Sequence, residues 1–224
     1  MEKFSDQQII DSWKKNFQPW VKAIRNDEIE SRLLVTNKTI VDAVIEKKPK
    51  TVLDVGCGEG WLVRELKKVG IDSLGIDVIP DLIDFAQTKG GRFKSLSYED
   101  LSGNMLQEKF DAIVCNFSLL GKESVINVFR QAPSLLNERG SLIVQTIHPV
   151  AGCREGDYCD GWREGSWAGF SNNFCDPAPW YFRTLETWTN LFLENGFNIH
   201  KILEPLNPKT KIPASIVFVG VSGN

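Results

Sequence analysis

The chain has 224 residues, about one and a half times a typical domain of roughly 150, so a single elaborated domain with a full hydrophobic core is expected. With 26 Lys+Arg against 29 Asp+Glu, a net charge of −3 and 42% hydrophobic residues, the composition excludes a disordered tail and argues against a polyanion binder, so no nucleic acid partner is expected. Tryptophan is in excess: 7 Trp stand beside 3 Tyr, at positions 13, 20, 61, 162, 167, 180 and 188.

The first residues lack the apolar core of a signal peptide and no apolar run is long enough to cross a bilayer, so a cytoplasmic location without membrane association is expected. Residues 6–47 carry helical periodicity in two pieces, with breaks expected near Pro19 and at Asn26-Asp27. Trp13, Phe17, Trp20 and Ile24 recur three and four apart and share one helix face. Leu33, Ile40, Val41 and Val44 mark a second amphipathic helix that ends at Lys47-Lys48-Pro49-Lys50, a solvated turn with no further basic cluster beside it.

From residue 51 onward, short β-rich runs alternate with helix-length segments. Strands are expected at 51–55, 71–77, 92–97, 110–116 and 140–147, and helices at 59–69, 80–88 and 123–136. This alternation implies right-handed βαβ crossovers and a largely parallel sheet with helices on both faces. After His148-Pro149 it stops. Residues 150–182 are rich in Gly, Pro, Trp and Asp and too long for an idle connection, which suits a lid or binding loop. Thr184 is a plausible N-cap for a helix over 185–194 closed by Asn195-Gly196, and strands at 197–203 and 214–221 form an antiparallel pair at one side of the sheet.

The most informative segment is Asp54-Val55-Gly56-Cys57-Gly58-Glu59-Gly60-Trp61, where the first strand turns into a helix. Gly56 and Gly58 permit a sharp turn and remove side chains that would hold a ligand off the backbone, and the helix beyond offers unpaired N–H groups and a positive dipole end. Asp77 ends the second strand, where an acid can accept both hydroxyls of a ribose. A dinucleotide fingerprint would place a third glycine at position 61, but Trp61 stands there and would obstruct close helix–strand packing, so NAD and FAD are disfavoured.

The glycine loop, then Gly75-Ile76-Asp77, then Phe110-Asp111-Ala112-Ile113-Val114-Cys115-Asn116 resemble the class I S-adenosylmethionine-dependent methyltransferases, in the branch that acts on small molecules, over roughly residues 30–150. The resemblance implies an α/β, Rossmann-like, doubly wound, mostly parallel seven-stranded sheet with an antiparallel last strand and helices on both faces. It implies S-adenosyl-L-methionine as cofactor, with S-adenosylhomocysteine as product, and a small-molecule methyl acceptor as partner. Gly56, Cys57 and Gly58 would lie against the methionine part and Asp54 near its ammonium group. Asp77 would take the ribose hydroxyls, and Val78 and Ile79 would flank the adenine. Ser97 stands where such enzymes often carry an acid for the adenine amine, with Tyr98 beside it and Glu99 or Asp100 as substitutes. Asn116 would reach the amino-acid end through its carbonyl, and Arg32 is read either as the fork for the methionine carboxylate or as an exposed helix-start charge. The one domain then divides into an N-terminal helical lid (1–48), a cofactor-binding core (49–148), a substrate or lid loop (149–183), and a helix with a terminal β-hairpin (184–224).

Methyl transfer is an in-line displacement that needs alignment and exclusion of water, helped by a base when the acceptor is a hydroxyl or an acidic carbon. Ligands gather at the C-terminal ends of the strands, which points to His148, directly after the fifth strand, either as a catalytic base or as a structural anchor for the loop. Tyr158, Asp160, Arg163 and Glu164 compete for that role, and Tyr181 and Arg183 face it from the far end of the loop. No metal is expected: His148, Cys153, Cys159 and Cys175 have no compact ligand spacing, and the five cysteines, with no CxxC pair, read as reduced thiols. Trp13, Trp20, Trp162, Trp167 and Trp180, with Tyr181, either glue the N-terminal helix and the long loop onto the sheet or wall a pocket for a flat or hydrophobic acceptor. A protein or RNA acceptor, and a cofactor-binding regulator without catalysis, are the competing readings.

Overall fold

A computed structural model describes residues 3–153 and 157–223. Helix α1 (Asp6–Lys15) starts at a capping box in which the Ser5 N–H donates to the Gln8 side chain at 2.9 Å. It breaks at Asn16, and α2 (Phe17–Arg25) follows at once. The break expected near Pro19 therefore lies three residues earlier. Pro19 sits in the first turn of α2, where its missing N–H has no intrahelical partner to lose. A π-helical turn, Arg32–Thr36, leads into α3 (Asn37–Glu46). Its wider i→i+5 winding breaks the 3.6-residue register, so Leu33 is 51% exposed rather than on the apolar face with Ile40 and Val44.

The core alternates from β1 (Thr51–Val55) through α4 (Trp61–Lys68), β2 (Asp72–Asp77), α5 (Pro80–Thr88), β3 (Arg92–Ser95), the short α6 (Gly103–Leu106), β4 (Phe110–Asn116) and α7 (Glu123–Leu135) to β5 (Leu136–Thr146). Beyond it come α8 (Pro149–Gly152), a small hairpin of β6 (Gly161–Arg163) and β7 (Trp180–Phe182), then α9 (Leu185–Glu194), β8 (Phe197–Leu203) and β9 (Ile216–Ser222). The short elements α6, α8, β6 and β7 were not legible in the sequence, because three or four residues are too few to display a period.

The seven-stranded sheet has the order β3-β2-β1-β4-β5-β9-β8, with β9 antiparallel to both of its neighbours. The terminal pair thus lies at one side of the sheet, with the last strand inserted and β8 forming the edge. Strand alternation sorts the core into two faces. Leu53, Ile113, Val144 and Phe218 pack against α7 and α9, while Val52, Ala112, Val114 and Ile143 pack against α3 and α4. The strand order reverses between β1 and β4, which opens a crevice above their C-terminal ends.

Candidate functional site

The loop after β1 is welded to β2. The N–H groups of Gly56 and Cys57 both donate to the Ile76 carbonyl, at 2.8 and 2.9 Å, and the Gly58 N–H donates to Asp77 Oδ2 at 2.9 Å. Asp77 Oδ1 accepts the Ile79 N–H at 2.9 Å, so its carboxylate is held from two sides. Glycine is required at 56: φ is +75°, and a Cβ would stand 2.4 Å from both Tyr98 Oη and Ser118 Cβ. The N–H groups of residues 56–58 are engaged inside the protein, so the loop presents to a ligand its shape and the acids around it.

Those acids are Asp54, Glu59 and Asp77, all buried. Asp54 is 2% exposed, and burial together with the neighbouring charge of Asp77 raises its pKa to about 8, while Arg32 pulls it down. Burial also pushes Glu59 and Asp77 up, countered at Glu59 by an ion pair with Arg64 at 2.5 Å and at Asp77 by its backbone donors. Three buried side-chain oxygens on this wall have no hydrogen-bond partner: Asp54 Oδ2, Glu59 Oε1 and Asn116 Oδ1.

Above the wall lies a cavity of about 380 Å³, within the range of small-molecule sites. Asp54, Gly56, Cys57, Gly58, Asp77, Val78, Tyr98 and Asn116 form its floor, and Arg32, Trp13, Trp20 and Trp167 close it from above. The Arg32 guanidinium lies 5.0 Å from the Trp61 ring and 6.0 Å from Trp20, and among the described residues it makes no ion pair. Burial lowers its pKa to about 10, which leaves it charged at neutral pH. The Trp13 ring meets Trp20 edge-on at 5.0 Å and Trp167 at 5.6 Å.

Side chains stitch this roof together. Asn16 donates to the Cys175 carbonyl at 2.7 Å and accepts the Cys175 N–H at 2.9 Å, Ser12 Oγ donates to the Asp176 carbonyl at 2.5 Å, and Trp167 Nε1 donates to the Cys175 carbonyl at 2.9 Å. At the start of α1, Asp6 accepts the N–H groups of Lys122 and Ser124, each at 2.7 Å, and so caps α7 from outside. Ile9, Ile10, Leu120, Ile147 and Phe170 complete an apolar end that the sequence reading missed. Ile9 and Ile10 lay within reach of it, since they continue the helix face that carries Trp13. Leu120 and Phe170 come from loops without periodicity, and Ile147 stands just past the end of β5, at the last position of the strand expected there.

Several expected residues lie elsewhere. His148, 7% exposed, is outside the cavity lining: its Nδ1 accepts the Val150 N–H at 3.2 Å as N-cap of α8, and its Nε2 pairs with Glu204 Oε1 at 2.7 Å. Both ring nitrogens are engaged in holding the loop, and the ring does not line the cavity. Ser97 exchanges hydrogen bonds with Asp100, at 2.8 and 3.1 Å, and leaves Tyr98 and Glu99 to face the cavity. Burial pushes the Tyr98 phenol well up, and its hydroxyl donates to the Ser118 carbonyl at 3.2 Å.

Trp162, Trp180 and Tyr181 also fall outside the lining, because the β6–β7 hairpin turns them onto each other and onto neighbouring rings. Trp162 meets Tyr181 at 5.5 Å and Trp180 meets Phe182 at 5.9 Å. The other candidate side chains hold the loop: Tyr158 Oη accepts the Leu185 N–H, Asp160 accepts the Thr184 N–H, Glu164 pairs with Lys3, and Arg163 donates to the carbonyls of Asp157 and Cys159. Arg183 donates to the carbonyls of Gly121 and Lys122, both at 2.8 Å. Among the described residues no three His, Cys, Asp or Glu side chains gather as metal ligands, and all five thiols are free. No described helix is long and apolar enough to cross a membrane.

A family model for a methyltransferase domain matches residues 30–202, a span that takes in the loop, all three acids and the switch point of the sheet. The chain belongs to the class I S-adenosylmethionine-dependent methyltransferases. The chain is 30% identical over 114 residues to a ubiquinone biosynthesis O-methyltransferase of Xanthomonas axonopodis pv. citri, a match covering 48% of this chain and 47% of that one. The chain spans about half the length of such curated relatives. Two solved structures share its fold at low identity. One is the 1,6-didemethyltoxoflavin-N1-methyltransferase of Burkholderia thailandensis with 1,6-didemethyltoxoflavin and S-adenosylhomocysteine bound, with a TM-score of 0.67, 17% identity, and coverage of 100% of this chain and 93% of the other. The other is the magnesium protoporphyrin IX methyltransferase of Synechocystis PCC 6803 with bound SAH, with a TM-score of 0.67, 16% identity and coverage of 97% and 100%.

Proposed function

We propose that this methyltransferase binds S-adenosylmethionine along the floor of the cavity and methylates a small, flat or hydrophobic metabolite held under the tryptophan roof. The observation that carries this reading is that one continuous cavity joins the acid-lined glycine loop to the apolar end formed by Ile9, Ile10, Trp13, Leu120 and Phe170. The floor fits the cofactor on its own terms. Unpartnered buried acceptors on Asp54, Glu59 and Asn116 call for a cationic donor, and S-adenosylmethionine brings an ammonium group.

When bound, the cofactor supplies a methyl group made electrophilic by its sulfonium. The protein's residues supply position. Asp77, braced by Gly58 and Ile79, keeps a second lone pair on each oxygen for the ribose hydroxyls, while Val78, Ile79 and Leu82 offer apolar surface to the adenine. Arg32 presents its guanidinium to the methionine carboxylate, and Asp54 and Asn116 face the ammonium. Trp13, Trp167 and Phe170 orient the acceptor and keep water out, which is where an in-line transfer gains most. The relatives named for didemethyltoxoflavin, protoporphyrin and ubiquinone biosynthesis support a small-molecule acceptor.

The test is incubation of the protein with methyl-labelled S-adenosylmethionine and a cell extract divided by size. Label is expected in the small-molecule fraction. Label confined to protein or RNA would replace the acceptor class, and label nowhere, with cofactor bound, would favour a cofactor-binding regulator.

A further inference from the structure

At the apolar end of the cavity, beyond the cofactor floor, stands a polar corner. Asp6 lies one turn before Ile9 and Ile10 on α1, so its carboxylate comes to the lining on the same helix face as those two side chains. Ser124, in the first turn of α7, reaches the lining just beyond Leu120 and Gly121. The two side chains meet at Gly121, where a Cβ would collide with Ser124 Oγ and stand 2.8 Å from Asp6 Oδ2. The corner is braced from behind. Arg183, 3% exposed, lies over the Tyr181 ring at 4.8 Å and the Trp188 ring at 5.3 Å and donates to the carbonyls of Gly121 and Lys122. It thereby fixes the turn whose next N–H groups, those of Lys122 and Ser124, run to the two oxygens of Asp6. Each Asp6 oxygen takes one backbone N–H and keeps a second lone pair, and Ser124 Oγ adds a hydroxyl that can donate or accept.

We infer that Asp6 and Ser124 hold the methyl acceptor by an O–H or N–H group, so that the acceptor is a neutral or cationic molecule with an apolar body and a hydrogen-bond donor at its edge, and not a carboxylate or a phosphate. This names the acceptor class for the small-molecule function proposed above and rests on it. Among the described residues of the lining the single cation is Arg32, which belongs to the cofactor floor. Arg183 and Asp6 attract each other across the turn, but the Arg183 Nη atoms are taken by carbonyls and its side chain does not line the cavity. An apolar body gains by leaving water for Ile9, Ile10, Trp13, Leu120, Ile147 and Phe170, and its donor exchanges water for the Asp6 carboxylate. An anion brought to the same corner would lose its hydration beside a carboxylate, with no cationic donor aimed at it. The corner therefore selects by charge as well as by shape.

The test divides the acceptors by charge before the reaction. The small-molecule fraction of a cell extract is passed over an anion exchanger at about pH 7, where carboxylates and phosphates are retained and neutral or cationic compounds are not. Each pool is then incubated with the full chain and methyl-labelled S-adenosylmethionine. Label is expected in the unretained pool, in excess of the retained one by about tenfold or more. Label chiefly in the retained pool would overturn the selection by charge and leave the small-molecule function standing, whereas label in neither pool would remove both. Dilution of the unretained pool then examines the two residues. Asp6→Asn should raise the amount of pool needed for half-saturation about tenfold and Ser124→Ala about threefold, the scales of a charge-assisted and a neutral hydrogen bond, with S-adenosylmethionine affinity within about twofold by calorimetry. A role for Asp6 confined to capping α7 would lower the melting temperature and leave half-saturation of the folded variant where it was. Half-saturation that neither variant moves would overturn the assignment. Ser124→Ala keeps the N–H that Asp6 accepts, so if Asp6→Asn does not fold, that variant and the two pools still decide.

Discussion

The floor and the roof of the cavity are held by different kinds of bond. In the floor, backbone N–H groups of the loop run to the Ile76 carbonyl and the Asp77 carboxylate, and the acids are buried below strands that pair on both sides. In the roof, side chains do the holding: Asn16 and Ser12 reach the backbone at Cys175 and Asp176, an exposed Lys15–Asp176 pair closes the same seam at 2.6 Å, and tryptophan edges meet at 5.0 and 5.6 Å. The floor is thereby pre-organised by the sheet, whereas the roof is assembled from contacts that can part without breaking a strand. A site of this kind can keep a fixed cofactor geometry while it admits and releases its acceptor.

Changes in the floor should be felt first in cofactor binding, and changes in the roof in acceptor binding. Asp77→Ala removes the acceptor pair proposed for the ribose and should weaken S-adenosylmethionine about 100-fold or more by calorimetry, the size of two charge-assisted hydrogen bonds. An unchanged affinity would remove Asp77 from the floor's chemistry. Trp13→Ala opens the roof and should raise KM for the acceptor about tenfold, the scale of a lost buried aromatic contact, with cofactor affinity within about twofold. A matched loss of cofactor affinity would show that floor and roof do not act separately.

A third test sets the floor's acids against stability. Asp54 has a folded-state pKa of about 8, above its ordinary 3.8, so between those values the folded chain holds a proton that the unfolded chain has released. Stability contributed by that proton is complete below about pH 4 and declines as pH rises toward 8. The ligand-free protein should therefore melt at a lower temperature at pH 8 than at pH 5, and Asp54→Asn should flatten that slope; an equally steep slope in the variant would place the effect elsewhere. The smallest effect is expected from His148→Ala. Loss of its hydrogen bonds to Val150 and Glu204 should lower stability by about 1 kcal/mol in denaturant unfolding and leave methyl transfer within about threefold. A collapse of turnover with an intact fold would return His148 to the chemistry.

How much was legible in the sequence follows the same division. The loop, Asp54, Asp77 and Asn116 lie at strand ends, and strand ends are set by local pattern, so the sequence placed them where the structure does. Trp13 and Trp20 were legible for a similar reason, one helix face at a spacing of three and four. In the long segment after β5 no period exists to read, and residue type alone treated Trp162, Trp167 and Trp180 as equals. The β6–β7 hairpin separates them: Trp162 and Trp180 brace the loop, and Trp167 alone of the three reaches the cavity. His148 misled for a related reason. Its position after β5 is correct, but the direction of its ring is set by Glu204, which is distant in sequence and near in space.

By itself, then, the sequence determined the alternating α/β order, the glycine turn and the acids that stand at the ends of β1 and β2, because backbone sterics and strand periodicity act over a few residues. Only the tertiary structure decided which aromatic rings form the roof, that Arg32 stacks on Trp61 within the cavity, and that Asp54 is buried without a donor beside two other carboxylates. Those are matters of burial and of long-range neighbours, and no local pattern encodes them.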